Sequence, residues 1–376
     1  MEVNVQQDPF KDIRPYYDHE VEAVLQNLLY DNELIGAVTQ YQFPSLPAWI
    51  SRLLRPVVRI GLAREFGEIQ SVKRFQRMVA KYMAKMIARS TTRLSCSGMD
   101  NLEDDEAYLF VSNHRDIAMD PAFVNWTHYQ RDLPTVRVAI GDNLLSKPYI
   151  SDLMRLNKSF IVKRSPKGPR QMMAAVTQLS AYIDHSIQEG ESVWIAQREG
   201  RAKNGNDKTD PALLKMFYMS QRKQRSFPEA IKRLKIVPVS ISYEFDPCDQ
   251  AKARELAAHE QDGVYEKGQH EDIESIVQGI TGFKGAVHIH FGDVIVEDFD
   301  SPEVLAAELD RQIHQNYFLH PSNYIAAGRL EKVTTQDQDA FEKRFAGLNH
   351  RESEIMRQMY AYPVVNAELK KGDMRD

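Results

Sequence analysis

Within eight residues, Asn113-His114-Arg115-Asp116-Ile117-Ala118-Met119-Asp120 gathers an imidazole and two carboxylates. The stretch follows the apolar run Ala107-Tyr108-Leu109-Phe110-Val111, which reads as a buried strand. An imidazole titrates near neutrality and can take a proton from a hydroxyl. A carboxylate on its far nitrogen fixes the tautomer and stabilises the imidazolium that forms. His114 at a strand end is therefore a candidate base, and Asp116 and Asp120 are candidate partners. A loop histidine without chemistry is the bland alternative, so the weight rests on what else the chain supplies.

Three further segments supply other parts. Phe160-Ile161-Val162-Lys163-Arg164-Ser165 ends a strand pattern with two adjacent cations. An arginine fork matches the oxygens of a phosphate. Ile195-Ala196-Gln197-Arg198-Glu199-Gly200-Arg201 ends another. There, Gly200 allows close backbone approach to a ligand, and Arg198 and Arg201 add affinity for anions. Lys235-Ile236-Val237-Pro238-Val239-Ser240-Ile241 reads as a buried strand of structural support, its proline pointing to a bulge or a lining position. A metal hydrolase built on His114, Asp116 and Asp120 lacks further histidine ligands, with His128 the one close candidate.

These segments must be positioned by the elements around them. Predicted strands at Tyr108–Ser112, Thr135–Ala139, Phe160–Val162, Ser192–Ala196, Leu234–Tyr243 and Val287–Phe291 alternate with helical patterns such as 169–189. That alternation predicts an α/β fold: a mixed, largely parallel sheet flanked by helices, with an N-terminal helical region. Ligands in such folds bind beyond the carboxyl ends of the strands, where His114, Arg164 and Glu199 fall. Three parts are expected: an N-terminal helical region at 1–94, an α/β domain at 95–330 and a charged helical tail at 331–376.

The N-terminal region reads as helices at 18–30, 48–66 and 72–88, broken at Pro44 and Pro47. Between Ser51 and Arg93 stand eleven Lys or Arg against two Glu, in a chain of net charge −5. Such a segment is either a solvated face or a basic amphipathic surface for anionic headgroups, with Leu53, Leu54, Val58, Phe75 and Met83 as its apolar side. The net charge gives no global field for nucleic acid. Cys96 and Cys248 are far apart, with neither metal spacing nor a disulfide framework, which fits a reducing compartment. No basic-then-apolar leader opens the sequence, and no run approaches the roughly 18 apolar residues of a membrane span. The expected location is cytoplasmic, peripheral on the inner face of the membrane.

In order and separation, the four segments resemble the glycerolipid acyltransferase family, which joins glycerol-3-phosphate and 1-acylglycerol-3-phosphate acyltransferases. The matching blocks are Asn113-His114 with Asp120-Pro121, Phe160 to Arg164, Arg198-Glu199-Gly200-Arg201 and Val237-Pro238-Val239. The resemblance covers roughly residues 95 to 330. It implies acyl transfer from an acyl-CoA or acyl-carrier-protein thioester to the hydroxyl of a glycerol-phosphate or lysophospholipid acceptor. His114 is then the base and Asp120 its partner. Arg164 and Arg201 grip the acceptor phosphate, with Lys163 and Arg198 as second choices, and Glu199 and Gly200 shape the pocket. Neither a metal nor another cofactor is implied. Two departures stand out. Five residues separate His114 from Asp120 where the family has four, which predicts a one-residue bulge, with Asp116 the competing partner. Arg201 follows Gly200 at once, and Gln197-Arg198 replaces the usual Phe-Pro. The shifted spacing also motivates a contrasting expectation, a catalytically inactive membrane-binding protein on the same fold.

Overall fold

A computed structural model describes residues 8–43, 45–145, 147–263 and 271–372. The chain forms two compact units, one from Met1–Tyr82 and Arg137–Met172, the other from Met83–Val136 and Met173–Asp376. In chain order the strands are β1 (Arg93–Ser97), β2 (Leu109–Ser112), β3 (Arg137–Gly141), β4 (Ser159–Val162), β5 (Val193–Ala196), β6 (Ile236–Tyr243) and β7 (Ala286–Phe291).

In the larger unit the strand order is β1-β7-β6-β2-β5. β2 pairs parallel with both β5 and β6, and β1 with β7, while β6 and β7 run antiparallel. The sheet is mixed and largely parallel, as the alternating pattern predicts. β2 and β6 are buried along their whole length, which explains their mainly apolar sequences, and the buried Ser112, Ser240 and Ser242 side chains each find a hydrogen-bond acceptor. The register is continuous from Leu109↔Ile236 to Ser112↔Val239, and from Val239↔Phe291 to Tyr243↔Val287. Pro238 therefore makes no bulge. It stands where the β7 ladder begins, and its carbonyl accepts the Gly292 N–H at 2.8 Å.

Predicted edges move for local reasons. Lys235 takes a left-handed backbone, φ 45°, so β6 starts at Ile236 rather than Leu234. The Val136 N–H bonds the Asn125 side chain at 2.8 Å, and β3 begins one residue later, at Arg137. β1 joins the strands expected from the pattern. Toward the C-terminus, Ile355, Met356, Met359 and Tyr360 of the helix His350–Gly372 pack with Phe245, Ala253 and Phe341 in a buried cluster.

The smaller unit holds the parallel pair β3–β4 and the first helices. Helices occupy Asp18–Tyr30, Ala48–Gly67 and Val72–Ser90, close to expectation, with a further one at Asn32–Gln42, and from Met83 the helix Val72–Ser90 counts with the larger unit. Val21, Val24, Leu25, Leu28, Val72, Phe75 and Leu156 form its core. Phe75 and Val58 are buried, whereas Leu53 is exposed. Val72, Phe75 and Val79 of the 72–90 stripe are thus spent on internal packing, Tyr82 stays exposed, and the cations Lys73, Arg74, Arg77 and Lys81 face solvent.

Candidate active site

The larger unit brings three strand ends together. His114 follows β2, the Arg198–Arg201 loop follows β5, and Tyr243 ends β6. His114 Nδ1 lies 2.8 Å from Asp120 Oδ2. The imidazole is 14% exposed, and Asp120 is fully buried. Asp120 sits in the first turn of the helix Met119–Gln130. Its Oδ2 also accepts the backbone N–H groups of Arg115 and Asp116, at 2.6 and 2.9 Å. Its Oδ1 accepts the Tyr243 hydroxyl at 2.6 Å. Two backbone N–H groups and a hydroxyl donate to Asp120, which holds it as an acceptor and would suit a group facing an imidazolium.

Asp116 has a different task. Its Oδ1 accepts the N–H groups of Ala118 and Met119 at 3.0 and 2.9 Å, which closes a turn before the helix. That turn absorbs the additional residue between His114 and Asp120. Asp116 Oδ2 is buried and has no hydrogen-bond partner. Burial, and after it the Asp120 charge, push this carboxyl up to about 6. Gly279, in the helix Glu271–Thr281, packs against it so closely that a Cβ would lie 2.2 Å from Oδ2.

The floor of the site is a buried polar lattice. The Asn113 side chain continues the β2–β6 pairing, accepting the Ile241 N–H at 2.8 Å and donating to the Ile241 carbonyl at 3.0 Å. Arg115 donates to Asp207 at 2.7 Å and to the Gly205 carbonyl at 3.0 Å. Burial opposes the Arg115 charge, yet Asp207 more than offsets it and holds the guanidinium ionised. Trp194 of β5 meets the His114 ring edge-on, centroids 5.7 Å apart, and donates its indole N–H to Ser112 Oγ at 3.0 Å. Burial, then the Asp120 and Asp116 charges, hold the Tyr243 hydroxyl well above the usual tyrosine range. Sequence patterns did not single out Tyr243, Trp194, Arg115 or Asp207. Tyr243 carried one signal, its place at the end of the predicted strand that holds the fourth block.

The third block is tied to His114. The Ala202 N–H donates to the His114 carbonyl at 3.0 Å. Gly200 has φ 73°, a conformation that explains glycine there. Arg198, Glu199 and Gly200 are exposed, and Arg201 is half-buried with its guanidinium 3.5 Å from Ser275 Oγ. Lys163 and Arg164 belong to the smaller unit. Lys163 pairs with Asp12. The Arg164 N–H donates to Asp142 at 3.1 Å, and its guanidinium lies over Gly141 and reaches Asn143 at 3.5 Å. No cluster of three or more His, Cys, Asp or Glu suited to a metal ion occurs among the described residues.

An imidazole held by a buried carboxylate at the carboxyl ends of a largely parallel sheet is an arrangement suited to moving a proton to or from a hydroxyl. Residues 93–242 match the family model described as Acyltransferase, and all four sequence blocks lie within them. The match spans less than half of the chain. Among solved structures, the 1-acyl-sn-glycerophosphate (LPA) acyltransferase PlsC from Thermotoga maritima is similar at 13% identity, over 78% of this chain and 91% of that one, with a TM-score of 0.36. No curated protein sequence matches the chain.

Proposed function

We propose that this protein moves a fatty acyl group from an acyl-CoA or acyl-carrier-protein thioester to a hydroxyl of a glycerol-phosphate or lysophospholipid acceptor. The supporting observation is His114 Nδ1 at 2.8 Å from Asp120, which leaves Nε2 as the nitrogen for substrate. In this reading Nε2 takes the acceptor's hydroxyl proton while the oxygen attacks the thioester carbonyl. The tetrahedral intermediate collapses, the thiolate leaves, and the imidazolium returns the proton to sulfur. The acceptor itself is the nucleophile, so no acyl-enzyme forms. Arg201 and Arg164 are assigned to the acceptor phosphate, Arg198 and Lys163 in support, and Glu199 and Gly200 to the pocket wall. No metal or other cofactor enters the scheme.

Lysophospholipid acceptors and the acylated products of this reaction reside in bilayers. No helix among the described residues is long and apolar enough to cross a membrane. Peripheral binding to an anionic surface, on the cytoplasmic inner face, is the accompanying reading. It is supported by the cations of the helix Val72–Ser90 and by the apolar side chains exposed on Ala48–Gly67.

The test is an acceptor screen with one labelled acyl thioester, supplied in both CoA and carrier-protein form, using wild type and His114→Ala. Loss of the general base lowers turnover by ~10²–10⁴. Equal turnover in both proteins refutes the assignment of His114. No turnover in either, with lipid binding intact, favours an inactive membrane-binding protein.

A further inference from the structure

The loop that carries His114 is supported by residues outside the matched domain. Lys252, in the helix Asp249–Asp262, is 2% exposed. Its ammonium donates to the Arg115 carbonyl at 2.6 Å and pairs with Asp246. The peptide group that owns this carbonyl also owns the Asp116 N–H, which donates to Asp120 Oδ2 at 2.9 Å. One planar peptide therefore links the Lys252 charge to the carboxylate that holds His114. A cation on the carbonyl polarises the N–H at the other side and fixes where it points.

Asp246 is set in turn by the C-terminal helix. Its backbone N–H donates to the Tyr360 hydroxyl oxygen at 2.8 Å, and that hydroxyl donates to Asp249 at 2.8 Å. Arg344 donates to Asp249 at 2.8 Å and to the Asp246 carbonyl at 3.0 Å. Burial pushes the Asp246 carboxyl up, yet Lys252 holds it below its usual range.

We infer that Lys252 is a positioning residue that acts on Asp120 through the Arg115–Asp116 peptide, and that Tyr360 sets its Asp246 partner. The inference rests on the His114–Asp120 reading. The charged and titratable groups around Asp120 are His114, Tyr243 and Asp116, with Lys252, Asp246 and the Arg115–Asp207 pair behind them.

The experiment compares Lys252→Met, Lys252→Arg, Tyr360→Phe and His114→Ala in the full chain, measuring kcat, both KM values and the pH profile of kcat/KM. Lys252→Met lowers kcat about tenfold or more while both KM values stay within about threefold. Its acid limb moves to higher pH, because Asp120 loses a nearby cation and binds the imidazolium more tightly. Lys252→Arg recovers part of the loss, and Tyr360→Phe gives a smaller change in the same direction. A folded Lys252→Met protein with wild-type kcat and an unmoved acid limb overturns the inference. If Lys252→Met does not fold, Tyr360→Phe decides, and wild-type kcat with an unmoved limb overturns it. Full turnover in His114→Ala would instead refute the dyad reading itself, which separates the two failures.

Discussion

Asp116 donates its backbone N–H to the Asp120 oxygen that also holds His114, while its own carboxylate caps the N–H groups of Ala118 and Met119. The two carboxylates are thus unequal. One faces the imidazole, and the other builds the turn that presents it. Asp120→Asn leaves an amide where a full charge is needed opposite the imidazolium, and kcat should fall by about 10² or more. Asp116→Asn keeps an oxygen for both N–H groups and should lower kcat by about tenfold or less. Steady-state kinetics on the two variants checks the ranking, and a reversed order would reassign the partner.

Asp116 also makes stability depend on pH. Its carboxyl rises from an ordinary 3.8 to about 6 in the folded protein, through burial first and the Asp120 charge second. A carboxyl with a raised folded pKa holds its proton more tightly when folded. Its contribution is fully present below 3.8 and is lost as the pH rises through about 6. Relative to Asp116→Asn, the wild type should lose on the order of 2–3 kcal/mol between those limits. Denaturant unfolding of both proteins at pH 4, 5, 6 and 7 measures the difference. A constant gap would show that Asp116 is ionised throughout.

Much of the sheet could be read from the sequence because β2 and β6 are buried on both faces and so are mainly apolar. The helix at 18–30 was legible from its periodicity, and the structure gives it the same limits. Parts that depend on long-range pairing were not legible. β1 is short and carries Arg93 and the exposed Cys96, so nothing local marks it as the parallel neighbour of β7. Residues 137–172 group with the first helices through contacts such as Ile161 N–H to the Ile13 carbonyl at 2.8 Å, a pairing no periodicity encodes. At the site, the Asp-Pro pair favoured Asp120 over Asp116 as the residue near His114. Tyr243 and Lys252 stayed hidden because 123 and 137 residues separate them from the groups they bond.

If the acceptor carries a phosphate, the arginines separate binding from chemistry. Arg201→Ala and Arg164→Ala each remove a fork suited to phosphate oxygens. The acceptor KM should rise roughly tenfold in either variant while the thioester KM stays near wild type. Titrating each substrate at saturating levels of the other reads the split. An unchanged acceptor KM in both variants would point to an acceptor without phosphate.

The proposed membrane attachment would draw on two helices, and the first offers an exposed apolar face. Trp49, Leu53, Val57 and Ile60 recur at helical spacing along Ala48–Gly67, each between 56% and 69% exposed. An apolar stripe open to water on a helix that also carries Arg52 and Arg64 suits the interface of an anionic bilayer. The helix Val72–Ser90 adds exposed cations, each worth about 1 kcal/mol near an anionic surface. The chain should sediment with anionic vesicles and little with neutral ones, and salt should weaken the binding. The two contributions differ in how they respond. Replacing Lys73, Arg74, Arg77 and Lys81 with Gln removes the electrostatic part, so binding falls most at low salt. The double change Leu53→Gln and Val57→Gln removes apolar contact, and the binding that remains becomes more sensitive to salt. Wild-type sedimentation of both variants at low salt would show that neither helix is the anchor.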